Sequence, residues 1–173
     1  HMVLQISKIL SKDSVLSPVL CFSKKRLLEI IANQAANIIG LPENLLLKRL
    51  NSREELGSTF VANGFALPHA LIEDQYPETA VFVILTHPVH YSYLDNTYAD
   101  CFLALFLHKD TATAGEAQIQ KICTTLADST NCRLIRSVKD IQTQVYNAVI
   151  AFCANDETTA EHDKSTDENA DNA

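Results

Sequence analysis

No apolar run in this chain approaches the roughly twenty residues that a membrane-spanning helix requires; the longest, such as CFLALFL from Cys101, fall far short of it. Membrane insertion is therefore not expected. The stretch HMVLQISKILSKDS has neither the sustained apolar centre nor the small-residue cleavage site of a secretory signal, and His1-Met2 reads as a cloning remnant. Paired cysteines are missing too. Cys21, Cys101, Cys123, Cys132 and Cys153 are scattered, odd in number and without a CxxC spacing, which argues against a disulfide framework or a zinc site and points to a reducing, cytoplasmic compartment. Basic charge is sparse. Lys24-Lys25-Arg26, read as a solvated helix start, and Arg133 with Arg136 do not make a stripe of the kind that holds nucleic acid.

The net charge of −7 is unevenly spread. From Asn155 on, NDETTAEHDKSTDENADNA carries seven acidic residues and one lysine, so the body before it is close to neutral. That segment has no aromatic or large aliphatic side chain to offset the entropy of ordering it. The expected organisation is one domain over residues 3–153, followed by an acidic disordered tail over 154–173. No internal repeat is visible.

Periodicity predicts the elements. In FSKKRLLEIIANQAANIIGLP, apolar residues recur at helical spacing behind Ser23 as N-cap, and Gly40 and Pro42 end the run. ENLLLKRLNSREEL continues as a second amphipathic helix to about Gly57, and Ser58 to Leu71 reads as short strands joined by turns. TAVFVILT (79–86) and CFLALFLH (101–108) are unbroken apolar runs of the kind found in strands buried on both faces. Between them lie a strand and a turn at Asp95-Asn96. GEAQIQKICTTLADST and NCRLIRS read as helices, the first with Ile119, Ile122, Cys123 and Leu126 on one face. In SVKDIQTQVYNAVIAF a Ser137-to-Asp140 capping arrangement is expected to open a helix turning Ile141, Val145, Ala148, Val149 and Phe152 inward. The fold class is α/β, a mixed central β-sheet flanked by helices.

Glycine is scarce, with four in the whole chain, yet two of them stand in REELGSTFVANGFALPHA, Arg53 to Ala70. Gly64 can take positive φ or admit a close neighbour. Pro68 fixes its own φ and drives Leu67 towards extended backbone, so His69 sits on a stiffened chain. Arg53, Ser58 and Thr59 bring guanidinium and hydroxyl donors to the same segment. A neutral imidazole among such donors is suited to attack phosphorus while they hold the charged oxygens. Residue types alone also allow a hydrogen-bonded loop histidine with no chemistry. Elsewhere, His87 and His90 would point to opposite faces of a strand, which argues against chelation. Tyr91, Tyr93 and Tyr98 read as half-buried strand residues or as a docking rim.

The whole segment resembles the active-site stretch of the type-2 (fructose/mannitol class) enzyme IIA domains of the phosphoenolpyruvate-dependent sugar phosphotransferase system, approximately R-E-x-x-G-S/T-x-x-x-x-G-x-A-x-P-H-G. Arg53, Glu54, Gly57, Thr59, Gly64, Ala66, Pro68 and His69 match. SKKRLLEIIANQAANIIGLPENLLLKRLNSRE and TLADSTNCRLIRSVKD are similar to the nitrogen-regulatory branch. The resemblance implies the mannitol-type enzyme IIA sandwich, with His69 as phosphoryl acceptor from a histidine phosphocarrier protein. It implies Arg53 beside the phosphohistidine and Thr59 on its oxygens, with no metal and no cofactor. It further implies regulatory protein targets such as potassium-transport regulators or sensor kinases. Two other readings stay open: a sugar-transport component passing phosphate to an enzyme IIB, and a protein-binding module that is not phosphorylated.

The chain departs from that pattern twice. Ala70 stands where the family commonly has glycine, and alanine resists positive φ, so either the local turn differs or glycine is not required there. Many members also carry a second histidine near the phosphorylated one. Its position falls near Gly115, and no histidine occurs between Lys109 and Glu161. His108 is close in sequence but does not match it residue for residue.

Overall fold

The two longest strands form around the unbroken apolar runs at 80–85 and 101–107. In the computed structural model, which describes residues 4–154, β5 (Thr79–Ser92) and β6 (Thr97–Leu107) pair antiparallel along most of their length. The reversal uses Asn96 at φ 51°, a left-handed conformation that asparagine tolerates. The run from Thr79 and the strand after it are one continuous strand, contrary to the two-strand expectation. Its register slips between Ile84 and Val89, where Thr86, His87 and Pro88 are exposed. Pro88 has no N–H to give to a ladder, and a slip at that point keeps the strand paired on both sides of it.

β1 (Val15–Val19) adds parallel to the free side of β5. On the free side of β6, β3 (Phe65–Ala66) and β4 (His69–Leu71) follow one another in parallel register, interrupted only at Leu67-Pro68. β2 (Phe60–Ala62) pairs antiparallel with β3 across a two-residue turn, Asn63 at φ 53° and Gly64 at φ 78°. Positive φ at both central residues matches the twist of the flanking strands, which is why an Asn-Gly pair closes this hairpin. The path β1-β5-β6-β3-β2 is thus a mixed sheet.

Helices cover both faces. Val81, Val83, Leu85, Phe102, Ala104 and Phe106 pack under α2 (Lys24–Ile39) and α3 (Glu43–Glu55). The alternate residues Ala80, Phe82, Ile84, Cys101, Leu103 and Leu105 pack against the other layer. That layer contains α1 (Ile6–Ile9), α5 (Glu116–Ala127), α6 (Ser129–Ser137) and α7, helical over 142–154, with α4 (Lys109–Ala114) leading into it. Burial on both faces explains the unbroken apolar runs. Ser23 caps α2 as expected, its hydroxyl accepting the Arg26 N–H at 3.1 Å, and Gly40 at φ 83° closes it. No helix among the described residues is long and apolar enough to cross a membrane. Beyond residue 154, the expected acidic tail lies outside the described residues.

The start of α7 differs from expectation. Ser137 belongs to α6 and donates to the Leu134 carbonyl, so it does not cap the next helix. Ile141 precedes α7 and is exposed, while Val145 and Val149 are buried and Ala148 and Phe152 partly so. Ala70 is also explained. It sits in the middle of β4 opposite Phe106, buried in the α2/α3 layer, in extended backbone that asks for no left-handed residue. Ala70→Gly is expected to lower the stability by about 1 kcal/mol, since glycine adds unfolded-state entropy and removes a buried methyl. An unchanged urea midpoint would count against this account of the position.

Candidate phosphoryl-transfer site

His69 is held by the break in the strand that carries it. Because Pro68 has no N–H, the chain cannot pair continuously along β6. The Pro68 carbonyl instead accepts the Leu105 N–H at 3.0 Å, and the Leu67 N–H goes to the Thr59 carbonyl at 3.0 Å. Both sides of the break are therefore tied down. His69, partly buried, opens β4 in register with Leu105 and lines a cleft of about 380 Å³ on the α4/α5 side of the sheet. Arg53 from the last turn of α3, Thr59, Leu105, Glu116 and Cys123 share that cleft.

The two ring nitrogens of His69 have different partners. Nδ1 lies 2.9 Å from the Leu67 carbonyl, which can only accept, so Nδ1 carries the proton. The Arg53 Nε–H points at Nε2 from 3.1 Å, and a guanidinium can only donate, so Nε2 presents a lone pair. A second Arg53 nitrogen, Nη1, donates to the Gly57 carbonyl at 2.7 Å and fixes the guanidinium plane. Burial is the main cause holding the His69 pKa below its ordinary 6.5; the Leu67 carbonyl opposes this and the Arg53 charge adds to it. The ring is accordingly neutral at pH 7, with its nucleophilic nitrogen facing a fixed cation.

Behind the cleft lies a buried polar cluster centred on Glu54, whose side chain is only 7% exposed. Its Oε1 accepts from the Thr59 hydroxyl and, at 2.5 Å, from the Tyr91 hydroxyl. Its Oε2 accepts the Thr59 N–H at 3.1 Å and pairs with Lys24 Nζ at 3.4 Å. The Tyr91 oxygen lies 2.8 Å from Thr59 Oγ1, and Lys24 Nζ sits 4.0 Å from the centre of the Tyr91 ring. Burial, and then the Glu54 charge, push the Tyr91 hydroxyl well above its ordinary pKa, so it stays a donor.

The three residues singled out from the sequence, Arg53, Thr59 and His69, thus meet in one cleft. Glu54, Tyr91 and Lys24 were not singled out. Glu54 stood in the matched segment without a role, Tyr91 was one of several alternating tyrosines, and Lys24 was read as solvated. Of those tyrosines only Tyr91 is buried. Tyr98 stacks on His90 with ring centres 4.7 Å apart, and Tyr93 is exposed. His108 is committed elsewhere: its Nε2 bonds the Tyr76 carbonyl at 2.6 Å and its N–H the Glu78 carboxylate at 2.9 Å. Across the cleft from His69, α4 and α5 offer Ala112 and Glu116. Among the described residues no group of three or more His, Cys, Asp or Glu converges as a metal site.

Comparison with known proteins gives the family and the fold. The family described as "Phosphoenolpyruvate-dependent sugar phosphotransferase system, EIIA 2" matches residues 8–155. A nitrogen regulatory protein of Klebsiella oxytoca is 34% identical over 155 residues, covering 89% of this chain and 95% of its own length. In three dimensions the nitrogen regulatory protein IIA-Ntr of Neisseria meningitidis superposes with a TM-score of 0.72 at 21% identity, over 83% of this chain and 98% of that one. The mannitol IIA of Escherichia coli does so with a TM-score of 0.59 at 14% identity, over 83% and 97%. At those identities the two structures speak for the fold.

Proposed function

This chain belongs to the EIIA 2 family of the phosphoenolpyruvate-dependent sugar phosphotransferase system, and we propose that it is a regulatory phosphocarrier whose acceptor atom is Nε2 of His69. The observation that carries this reading is the division of labour on the imidazole: Nδ1–H donates to the Leu67 carbonyl and the Nε2 lone pair faces Arg53 in an open cleft. The donor is a phosphohistidine on a histidine phosphocarrier protein. Nε2 attacks the phosphorus as the donor N–P bond breaks, and the electron pair of that bond returns to the donor imidazole. The proton stays on Nδ1, still donated to the Leu67 carbonyl. As phosphorus arrives, the Arg53 Nε–H passes from the Nε2 lone pair to the equatorial oxygens while Nη1 stays on the Gly57 carbonyl, and the guanidinium balances their charge during transfer.

Exposed Leu56 and Leu71 stand beside this site and give a partner apolar surface to cover. Phosphorylation adds about two negative charges there, enough for a partner to distinguish the two forms. The sequence likeness to nitrogen regulatory proteins supports a regulatory output. Its targets would be regulatory proteins, of which potassium-transport regulators and sensor kinases are the candidates.

The test is intact mass after incubation with phosphoenolpyruvate, the first enzyme of the system and its phosphocarrier. A gain of one acid-labile phosphoryl group is expected, with nitrogen-15 NMR assigning it to Nε2. No gain from a donor that phosphorylates a known acceptor would overturn the carrier reading, and phosphate on Nδ1 would overturn the mechanism.

A further inference from the structure

The cluster behind the cleft surrounds one carboxylate with donors on both of its oxygens, and this arrangement suggests a use. Glu54 receives four: the Thr59 N–H, the Thr59 O–H, the Tyr91 O–H and the Lys24 ammonium. A buried carboxylate deprived of its partners is strongly destabilising. One that loses a single donor of four is still satisfied. Of these donors, Thr59 lines the His69 cleft, and its O–H is free to rotate about the Cβ–Oγ1 bond.

We propose that Glu54 and Tyr91 are positioning residues for phosphoryl transfer. Glu54 parks the Thr59 hydroxyl while His69 is unmodified and releases it to the phosphoryl oxygens when Nε2 carries phosphate, and the Tyr91 O–H secures the carboxylate in both states. The step is one of hydrogen-bond exchange, in which no covalent bond forms or breaks. A phosphoryl group brings three strong acceptor oxygens into the cleft, which compete for the single Thr59 proton. The competition is balanced because Glu54 keeps the Tyr91 O–H, the Thr59 N–H and Lys24. Tyr91 suits this part, since its buried hydroxyl stays protonated at any working pH and cannot turn into a second anion beside Glu54.

The inference rests on His69 being the acceptor. It is tested by rapid-mixing phosphoryl transfer from the phosphorylated carrier to wild type, Tyr91→Phe, Thr59→Val, Thr59→Ser and the Tyr91→Phe/Thr59→Val double variant. The transfer rate at saturating donor is expected to fall about tenfold in Tyr91→Phe and in Thr59→Val, the effect of one charge-assisted hydrogen bond. The donor KM should stay within about twofold, and Thr59→Ser, which keeps the hydroxyl, should transfer near the wild-type rate. The double variant should be no slower than the slower single one, because both remove the same exchange. A merely structural Tyr91 would leave the rate unchanged, or its effect would multiply with that of Thr59→Val; either result overturns the inference. Should Tyr91→Phe not fold, the Tyr91 ring resonances of wild type decide: they shift on phosphorylation if the exchange occurs and stay fixed if it does not. Failure of the wild type to take phosphate removes the acceptor reading and this inference together. Normal transfer by wild type and Tyr91→Phe alike removes this inference alone.

Discussion

His69→Ala is expected to take up no phosphoryl group at any donor concentration, and Arg53→Ala to take it up about 10²- to 10³-fold more slowly than the wild type, the usual cost of losing one fixed donor to a charged transition state. The first effect follows from removing the only nucleophile in the cleft that is neutral, oriented and paired with a cation. The second follows from Arg53 being held in place before phosphorus arrives. Its Nη1 is anchored on the Gly57 carbonyl and its Nε rests on the very nitrogen that attacks. Arg53→Lys should recover little of the rate, because an ammonium cannot span both contacts with one planar fork. Arg53→Ala should also change the pH dependence. In the wild type, burial and the Arg53 charge hold the imidazole pKa below 6.5, so acceptance of phosphate should persist below that pH and fail only as the ring protonates. Removing Arg53 deletes a charge that opposes protonation and opens the ring to water. The acid limb of the pH-rate profile should therefore move up towards 6.5. Stopped-flow transfer across pH 5 to 8 measures both effects. An Arg53→Ala rate within about threefold of wild type, or an acid limb that moves down, would show that the contact seen at Nε2 has no part in transfer.

The elements that lay open in the sequence are those whose burial leaves a pattern. α2 shows its buried face at helical spacing, and β5 and β6 are apolar throughout because helices cover both sides of the sheet. Short strands were expected between Ser58 and Leu71, where β2, β3 and β4 lie, but three other short elements left no such trace. β1 is an edge strand with Pro18 in it, and α1 and α4 are too short for a period to appear. At the site, Arg53, Thr59 and His69 were singled out because the segment that holds them resembles the enzyme IIA pattern, whereas residue types alone left His69 open to an inert loop reading. Tyr91 was not, because alternation along a strand says which face a side chain takes and nothing about what waits there. Its partner Glu54 lies 37 residues earlier on a different element. Lys24 failed for the same reason, its partner being 30 residues away. Among the described residues no histidine besides His69 lines the cleft, and His108 is bound to Tyr76 and Glu78.

Gly64 explains why so glycine-poor a chain keeps one just ahead of its Pro-His pair. The residue needs positive φ for the hairpin turn, and a side chain there would have to displace its neighbours. A Cβ there would lie 2.6 Å from Arg136 Nη2 and 2.9 Å from Asp100 Oδ1. Those two side chains form a bidentate pair, with Arg136 Nη2 donating to Asp100 Oδ1 at 2.8 Å and Nε to Oδ2 at 3.2 Å, and Nη2 also donates to the Asn63 carbonyl at 2.6 Å. The Gly64 carbonyl in turn accepts the N–H groups of Asp100 and Cys101. The clamp thus ties the β2–β3 hairpin to β6 and to α6. Gly64→Ala is expected to destabilise the protein by about 3 kcal/mol, combining backbone strain with displacement of a partly buried ion pair. That corresponds to a drop of about 6–10 °C in Tm for a chain of this size. The Gly64→Ala/Arg136→Ala double variant separates the two causes: if the clash matters, its loss should be smaller than the sum of the single losses. A Tm within about a degree of wild type for Gly64→Ala would mean that the clamp yields at no cost. The consequence reaches the cleft because the hairpin is continuous with both halves of the site. Thr59 precedes β2, and its carbonyl holds the Leu67 N–H two residues before His69. A loosened hairpin should therefore slow phosphoryl transfer in the fraction of molecules that remain folded, which links one of the chain's four glycines to the histidine it precedes.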